Sequence, residues 1–337
     1  MFQVGVIGCG YWGPNLVRNF SQMSRTRMRK VADLNKERLV HVRRLFPTVQ
    51  TSTSYTEIME DPSIDIVAIA TPINTHYELA KLALNKSKHV FVEKPLAGSS
   101  QQAEELISLA SEQQKKLMVG HTFLYTSAVR KMKAIIDSGE LGDLYYINAQ
   151  RLNLGLFQKD YNVIWDLAPH DISIVIHLLG KEPLTVQSFG ACHINPAIED
   201  VATLALGFEN DMIAFLQMSW LDPDKIRKMT VVGSKKMLVY DDIQPAEKIR
   251  IYDKRVEGPK YYDSFAEFQY SYKYGDIMIP KIDGGEPLQE ELNHFIDCIE
   301  QDVTPLTDGD NGLKVIRIIE KAQDCLTNYR RAAARNG

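Results

Sequence analysis

Apolar positions along this chain change their period near residue 121. Before it, short apolar runs of strand length alternate with stretches of helical spacing. Phe2 to Ile7, Met28 to Ala32, Ile64 to Ala70, His89 to Val92 and Leu117 to Gly120 read as strands. Pro14 to Phe20, Asn35 to Phe46 (Leu39, Val42, Leu45) and Thr56 to Met59 read as helices. Thr75-His76-Tyr77-Glu78 fits a capping box for a helix over Tyr77 to Asn85, and Ser99-Ser100 caps one that runs to Lys116. Strictly alternating strand and helix predict a parallel sheet covered on both faces.

Beyond His121 the pattern turns to long β-type runs with few helices between them. Helices are expected at Ser127 to Asp137, from about Pro169 to Leu179, at Glu290 to Glu300 and at Gly312 to Arg330. Leu144 to Leu154, Thr185–Ala191, Val201–Phe208, Met212–Trp220, Arg227–Val232 and Lys236–Tyr240 read as strands of an antiparallel sheet built mostly of hairpins. The fold class is therefore α/β: residues 1–121 form a nucleotide-type domain, and residues 122–337 form an α+β domain with a large open, mostly antiparallel sheet. If helices cover one face of that sheet, the other would expose apolar area, for example Leu204, Leu206, Phe215 and Leu216. Such a face pairs with a copy of itself, which predicts a homodimer or homotetramer joined through the sheet.

The junction between the first strand and first helix carries Gly8-Cys9-Gly10-Tyr11-Trp12-Gly13, and Asp33 follows 20 residues after Gly13 at the end of the second strand. Alone, such a glycine pattern is weak. Between a strand and a helix, with an acid at that distance, it is a dinucleotide fingerprint. Gly8 permits the tight turn, Gly10 lets backbone approach a pyrophosphate, and Gly13 lets the helix pack closely. Asp33 would accept from ribose hydroxyls and repel a 2′-phosphate, which favours NAD over NADP; Lys36 and Arg38 lie nearby and act in the opposite sense.

Totals narrow the partners. The 337 residues are 45% hydrophobic and 24% charged, an ordinary globular composition of two-domain length. A net charge of −4 without basic blocks gives no reason to expect nucleic acid. Cys9, Cys192, Cys298 and Cys325 form no CxxC, so neither disulfide framework nor zinc site is suggested. No signal segment precedes the first strand, and no apolar run approaches the about 20 residues that cross a bilayer. A reduced, soluble, cytoplasmic protein without membrane partners is expected.

Two constellations suggest chemistry. Glu93-Lys94-Pro95 ends a parallel strand, at the edge where doubly wound sheets bind ligands. Pro95 stops the strand and keeps Lys94 extended, so that a partly buried ammonium meets a substrate hydroxyl and stabilises the alkoxide as hydride leaves. In Asp166-Leu167-Ala168-Pro169-His170-Asp171, Asp166 suits an N-cap and stands at i, i+4 from His170. A carboxylate favours the charged imidazole and a helix N-terminus the neutral one, which suits a general acid/base. A capping Asp beside a core His would leave the same pattern. Thr71-Pro72-Ile73-Asn74-Thr75-His76 ends the neighbouring strand and lines the same crevice. No residue group has metal-ligand logic. Aromatic residues crowd Tyr252 to Tyr274, where packing or an interface is favoured over a sugar platform.

With the glycine fingerprint, Thr71-Pro72, Glu93-Lys94-Pro95 and the Asp166/His170 pair in order, the chain resembles the Gfo/Idh/MocA oxidoreductases along essentially its whole length. The resemblance implies a Rossmann domain followed by an α/β domain whose sheet mediates oligomerisation. It implies reversible hydride transfer between NAD(P) and a ring hydroxyl of a sugar, nucleotide-sugar or cyclitol. By position, Lys94 and His170 look like the catalytic pair, with Asp166 orienting the substrate or His170. Gly8, Gly10, Tyr11, Trp12, Gly13, Asp33, Thr71, Pro72, His76, Glu93 and Lys94 look like cofactor contacts, and Arg151 and Trp165 like substrate-pocket residues. Trp165 stands where many relatives have glycine, a departure that narrows or reshapes the sugar site. The runs Gly10 to Asn15 and Trp165 to Asp171 look most like the branch that oxidises or reduces C3 of UDP- or dTDP-linked amino sugars and uronates. An inositol or free-sugar dehydrogenase is the alternative; a non-catalytic NAD sensor is the rival of another class, though it would need neither Lys94 nor His170.

Overall fold

Buried apolar runs bounded by turn residues become strands, and the computed structural model gives their order for residues 1–257 and 270–336, with side chains described as far as residue 328. The elements are β1 (Phe2–Ile7), α1 (Gly13–Gln22), β2 (Thr26–Ala32), α2 (Lys36–Leu45), β3 (Gln50–Ser52), α3 (Thr56–Met59), β4 (Ile66–Ile69), α4 (His76–Asn85), β5 (His89–Glu93), α5 (Ser100–Glu112) and β6 (Leu117–Gly120). Then come α6 (Ser127–Asp137), β7 (Leu144–Leu152), α7 (Val163–Leu179), β8 (Thr185–Ala191), β9 (Val201–Gly207), β10 (Ile213–Ser219), β11 (Ile226–Gly233) and β12 (Met237–Asp241). The chain closes with β13 (Ile249–Glu257), β14 (Ser271–Met278), α8 (Pro287–Glu300) and α9 (Gly309–Asn336). Strands β13 and β14 lie in the aromatic region where no strand is expected from the sequence. Contacts divide the chain into two units, residues 1–125 with 285–320, and residues 126–284 with 321–337.

In the first unit the order β3-β2-β1-β4-β5-β6 is parallel throughout. All of β4 and β6 is buried, so helices cover both faces, as strand–helix alternation demands. The expected capping box of α4 is absent. Thr75 is helical rather than extended, and its hydroxyl turns back to Thr71 and to the Pro72 carbonyl, both at 2.7 Å. Residues 285–320 return to this unit, whereas the sequence reading assigns everything after 121 to the second. An amphipathic helix declares that one face is buried, not against what. Here Leu292, Phe295 and Ile296 of α8 are buried, and the Phe295 ring meets Phe91 of β5 at 6.0 Å. Arg18 and Asn19 of α1 hold Glu286, Arg25 holds Asp297 and Glu300, and the Val119 N–H donates to Thr307 at 2.7 Å.

The second unit contains the order β14-β13-β12-β11-β7-β10-β9-β8. It is mostly antiparallel, but β10 and β11 are not a hairpin. β7 lies between them, parallel to β10 and antiparallel to β11. Period-2 alternation sends Leu204, Leu206 and Leu216 to the buried face, where α7 packs on β7, β9 and β10. Of the four residues expected on the outer face, only Phe215 is exposed; Phe189 joins it, amid polar neighbours such as the Gln150–Gln217 pair. Helix α7 begins six residues before the expected Pro169, because Asn162 is the N-cap: its side chain accepts from the N–H groups of Ile164 and Trp165. Pro169 lies inside the helix. Among the described residues no helix is long and apolar enough to cross a membrane.

Buried Asn162 also donates to Glu199 at 2.7 Å and to Gln323 at 2.8 Å. Replacing it with Ala should lower unfolding free energy by about 1–2 kcal/mol for the lost cap. Urea denaturation followed by circular dichroism measures it; an unchanged midpoint would show the cap to be redundant.

Candidate functional site

The carboxyl ends of β1, β2, β4 and β5 share one edge of the parallel sheet, and every expected cofactor residue lies there. Gly8 has φ +93°, and an added Cβ would run into the Ala70 carbonyl; one on Gly13 would run into the Gly8 carbonyl. Chain packing alone requires glycine at both. Gly10 differs: a Cβ there would meet nothing nearer than Arg38 Nη1 at 4.0 Å. The open space above it is the room a pyrophosphate needs against the backbone. Helix α1 starts from Trp12 without a side-chain cap; Pro14 has no N–H and Asn15 donates to the Trp12 carbonyl at 2.9 Å, so it is the positive dipole end of the helix that such an anion would meet. A dinucleotide therefore fits this loop. Tyr11 and Trp12 are exposed beside it, packed edge to face at 5.7 Å.

Asp33 accepts from the Cys9 N–H at 2.6 Å and from the Asn35 N–H at 2.7 Å, with Arg38 3.5 Å away. Its carboxylate thus braces the glycine loop and keeps lone pairs for ribose hydroxyls. Burial and the Asp33 charge push the Cys9 thiol up to about 12, so it stays protonated. After β4, Thr71 is half-buried and Pro72 exposed. His76 is buried below them, its Nδ1 2.8 Å from the Pro95 carbonyl and its Nε2 2.8 Å from the Thr71 carbonyl. It links the ends of β4 and β5 from inside, and burial holds its pKa below the ordinary value. Glu93 is buried, and burial raises its carboxyl to about 7. Lys94 follows, half-buried.

In the second unit, the i, i+4 spacing within α7 gives Asp166 and His170 one face. Asp166 is a first-turn acid, not the cap, and accepts from the buried Trp220 indole at 3.0 Å. Trp165 beside it is half-buried. His170 lines a cavity of about 420 Å³ with Arg151, Asn153, Leu154, Lys225 and Arg227. Arg151 is buried and bidentate to Asp171, at 2.9 and 2.8 Å, so its guanidinium pins the turn that carries His170 to β7. Arg227, opposite Arg151 across the strands, is 3.4 Å from Asp242.

Sequence reasoning missed Asn162, Asp171, Trp220, Lys225 and Arg227. Asn162 had a signal, a capping residue before an apolar run, and Asp171 stood beside His170 with its partner Arg151 out of view; Trp220, Lys225 and Arg227 become neighbours only through the sheet. Of the aromatic stretch, Tyr270, Tyr272 and Tyr274 are exposed and Lys254 lies over the rings of Tyr252 and Tyr274. Tyr261, Tyr262, Phe265 and Phe268 lie outside the described residues. Among the described residues no group of three His, Cys, Asp or Glu side chains is arranged to hold a metal.

Comparison with known proteins agrees with this geometry. Residues 2–121 match the profile described as "Oxidoreductase family, NAD-binding Rossmann fold", and residues 129–239 match the "GFO/IDH/MocA C-terminal domain". UDP-N-acetylglucosamine 3-dehydrogenase of Acidithiobacillus ferrooxidans is 28% identical over 237 residues, 68% of this chain and 70% of that protein. Myo-inositol 2-dehydrogenase of Thermotoga maritima is 22% identical over 339 residues, covering 97% of each. The fold is similar to that of levoglucosan dehydrogenase solved with NADH and levoglucosan, with TM-score 0.81 and 20% identity over 97% of both chains.

Asp33→Ala removes the loop brace together with the carboxylate expected to accept from the ribose. The NADH dissociation constant should rise about tenfold or more. The NADPH constant should change less, because the same carboxylate repels a 2′-phosphate. Fluorescence titration with each nucleotide checks this; equal losses would contradict the assigned discrimination.

Proposed function

The chain belongs to the Gfo/Idh/MocA oxidoreductase family, and from that membership we propose that it moves a hydride between NAD and a ring carbon of a sugar. The observation that carries this reading is Glu93-Lys94-Pro95 at the carboxyl end of a buried strand in the dinucleotide sheet, with Lys94 half-buried. NAD, held by the glycine loop and Asp33, supplies the hydride acceptor in oxidation. The chain's own residues manage the proton and the charge. His170 takes the proton of the substrate hydroxyl, Lys94 stabilises the alkoxide, and Asp166 orients His170 or the sugar. Trp165 shapes the pocket.

The proposed substrate is a nucleotide-sugar, with C3 of a UDP- or dTDP-linked amino sugar or uronate as the reacting centre. Two features support it: the likeness to a UDP-N-acetylglucosamine 3-dehydrogenase, and the cations Lys225 and Arg227 in the wall of the His170 cavity, which suit an anionic substrate. An inositol or free-sugar dehydrogenase is the second reading, favoured by the end-to-end match to a myo-inositol 2-dehydrogenase. We further propose a cytoplasmic homodimer or homotetramer joined through the second sheet, a reading supported by the free cysteines and by Phe189 and Phe215 on its outer face.

Lys94→Ala should lower kcat by about 10²–10⁴-fold while NADH binding stays nearly intact, and His170→Ala should do the same. Turnover with a panel of sugars and nucleotide-sugars, followed at the NADH absorbance, measures the first; fluorescence titration measures the second. Unchanged turnover in either variant would remove the mechanism.

A further inference from the structure

Inside the first unit, three polar side chains from three elements are buried together behind the strand end that carries Lys94. Glu93 is the last residue of β5, His121 follows β6, and Glu291 lies in α8. Glu291 is 0%, His121 1% and Glu93 8% exposed. Each holds polar atoms that no protein group meets: Oε1 of Glu93, Oε1 of Glu291 and both ring nitrogens of His121. The remaining oxygen of Glu291 accepts from the Thr122 hydroxyl at 2.6 Å. Sheet register sets Glu93 beside Gly120, and a Cβ added there would come within 3.2 Å of Glu93 Oε2. Absence of a side chain at 120 is what lets the carboxyl turn inward.

Four unmet polar atoms on three buried side chains are not a stable arrangement by themselves. An internal water makes about three hydrogen bonds, and these side chains supply that number of partners. One protonated carboxyl provides a donor, one ionised carboxyl an acceptor, and a neutral imidazole one of each. We propose that Glu93, His121 and Glu291 enclose an internal water in a sealed polar chamber, and that Glu291 acts through Glu93 as a positioning residue for the Lys94 ammonium. The second half rests on the reading of Lys94 as the group that meets the substrate.

The charges facing the chamber fit that division. Burial and then the neighbouring Glu93 hold the Glu291 carboxyl well above the ordinary range, while burial takes Glu93 to about 7. Near neutrality Glu291 keeps its proton and Glu93 gives its proton up, which favours an ammonium at Lys94. Burial and then the Lys94 charge hold His121 down at about 3, so it is neutral. Tyr125, facing Glu291 from the turn after β6, is pushed up by burial and then by Glu291, and its hydroxyl lies 3.1 Å from that of Thr307. Phe91 and Phe295 close the apolar wall.

The test uses the full chain with NADH bound, comparing wild type, Glu291→Gln and Thr122→Val. A carboxyl whose folded pKa is raised contributes stability that is complete below its unfolded value and lost as pH rises through the folded one. The wild-type melting temperature should therefore fall as pH rises through neutrality. Glu291→Gln should flatten that fall. Thr122→Val, which removes the donor favouring ionised Glu291, should displace it to higher pH. The acid limb of the pH–turnover profile reports Glu93: it should hold in Glu291→Gln, whose amide still offers the water a partner, and move to higher pH in a further variant, Glu291→Leu, which takes that support from ionised Glu93. Stability curves of wild type and Glu291→Gln that superimpose, or an acid limb that stays in place in Glu291→Leu, would overturn the proposal. Should wild type turn over no sugar or nucleotide-sugar, the functional reading fails on activity alone, and the stability curves, which need no substrate, still decide the chamber.

Discussion

The Asp33 carboxylate accepts from the backbone N–H of Cys9, across 24 residues, and the cofactor end of this protein depends on that contact. A loop of three glycines is entropically loose by itself. Here one end is fixed by the Gly8 N–H bonding to the Ala32 carbonyl at 2.8 Å, and the middle by Asp33. The far end is fixed by Gly13 packing on Gly8 with no room for a Cβ. What remains adjustable is Gly10, where the backbone is open. One carboxylate thus shapes the loop and is also the group proposed to meet the ribose, so on that reading loop geometry and cofactor preference cannot be varied separately.

The second unit solves a similar problem with a buried ion pair. His170 must face its cavity while the helix beneath it contains Pro169, which removes one backbone donor. Asp171, the next residue, is clamped by Arg151 from β7, and Asp166 one turn earlier is held by the Trp220 indole at the end of β10. Polar pins on either side of the proline hold a turn that backbone bonding alone would leave weak. Bidentate geometry gives the Arg151 pin its direction; in a buried setting the pair contributes more to specificity of arrangement than to net stability.

What the sequence disclosed divides along the same line. Helix α6 appears at Ser127–Asp137 and strand β8 at Thr185–Ala191, the ranges their periodicity predicts, because each signal is local. The glycine loop was legible for the same reason: its residues are neighbours in the chain and their spacing is the geometry. Placement of β7 between β10 and β11 was not, since pairing over some 70 residues leaves no trace in either strand's pattern. Nor did Arg151 disclose a structural duty: a charged residue at a strand end reads as a ligand contact until its buried partner on another element is known. Even the start of α7 turned on a local choice, Asn162 capping ahead of Asp166, that Pro169 obscured.

Residues 285–320 show why an ordered reading of a chain misjudges domains. Their helix pattern is ordinary, and position after the long sheet argues for membership in it. Yet Glu286 and Asp297 are held by arginines of α1 and the turn after it, and Phe295 by a ring of β5. The return has a chemical consequence. A parallel sheet buried on both faces has no solvent to support a charged group at a strand end, and Glu93 stands at such an end. Helix α8 brings Glu291 to it, while the residues after β6 bring His121 and Thr122. Polar support for the Lys94 strand end therefore comes from a segment nearly 200 residues later in the chain. Substitutions in that helix should be weighed as changes to the first unit's chemistry, although the sequence assigns them to the other.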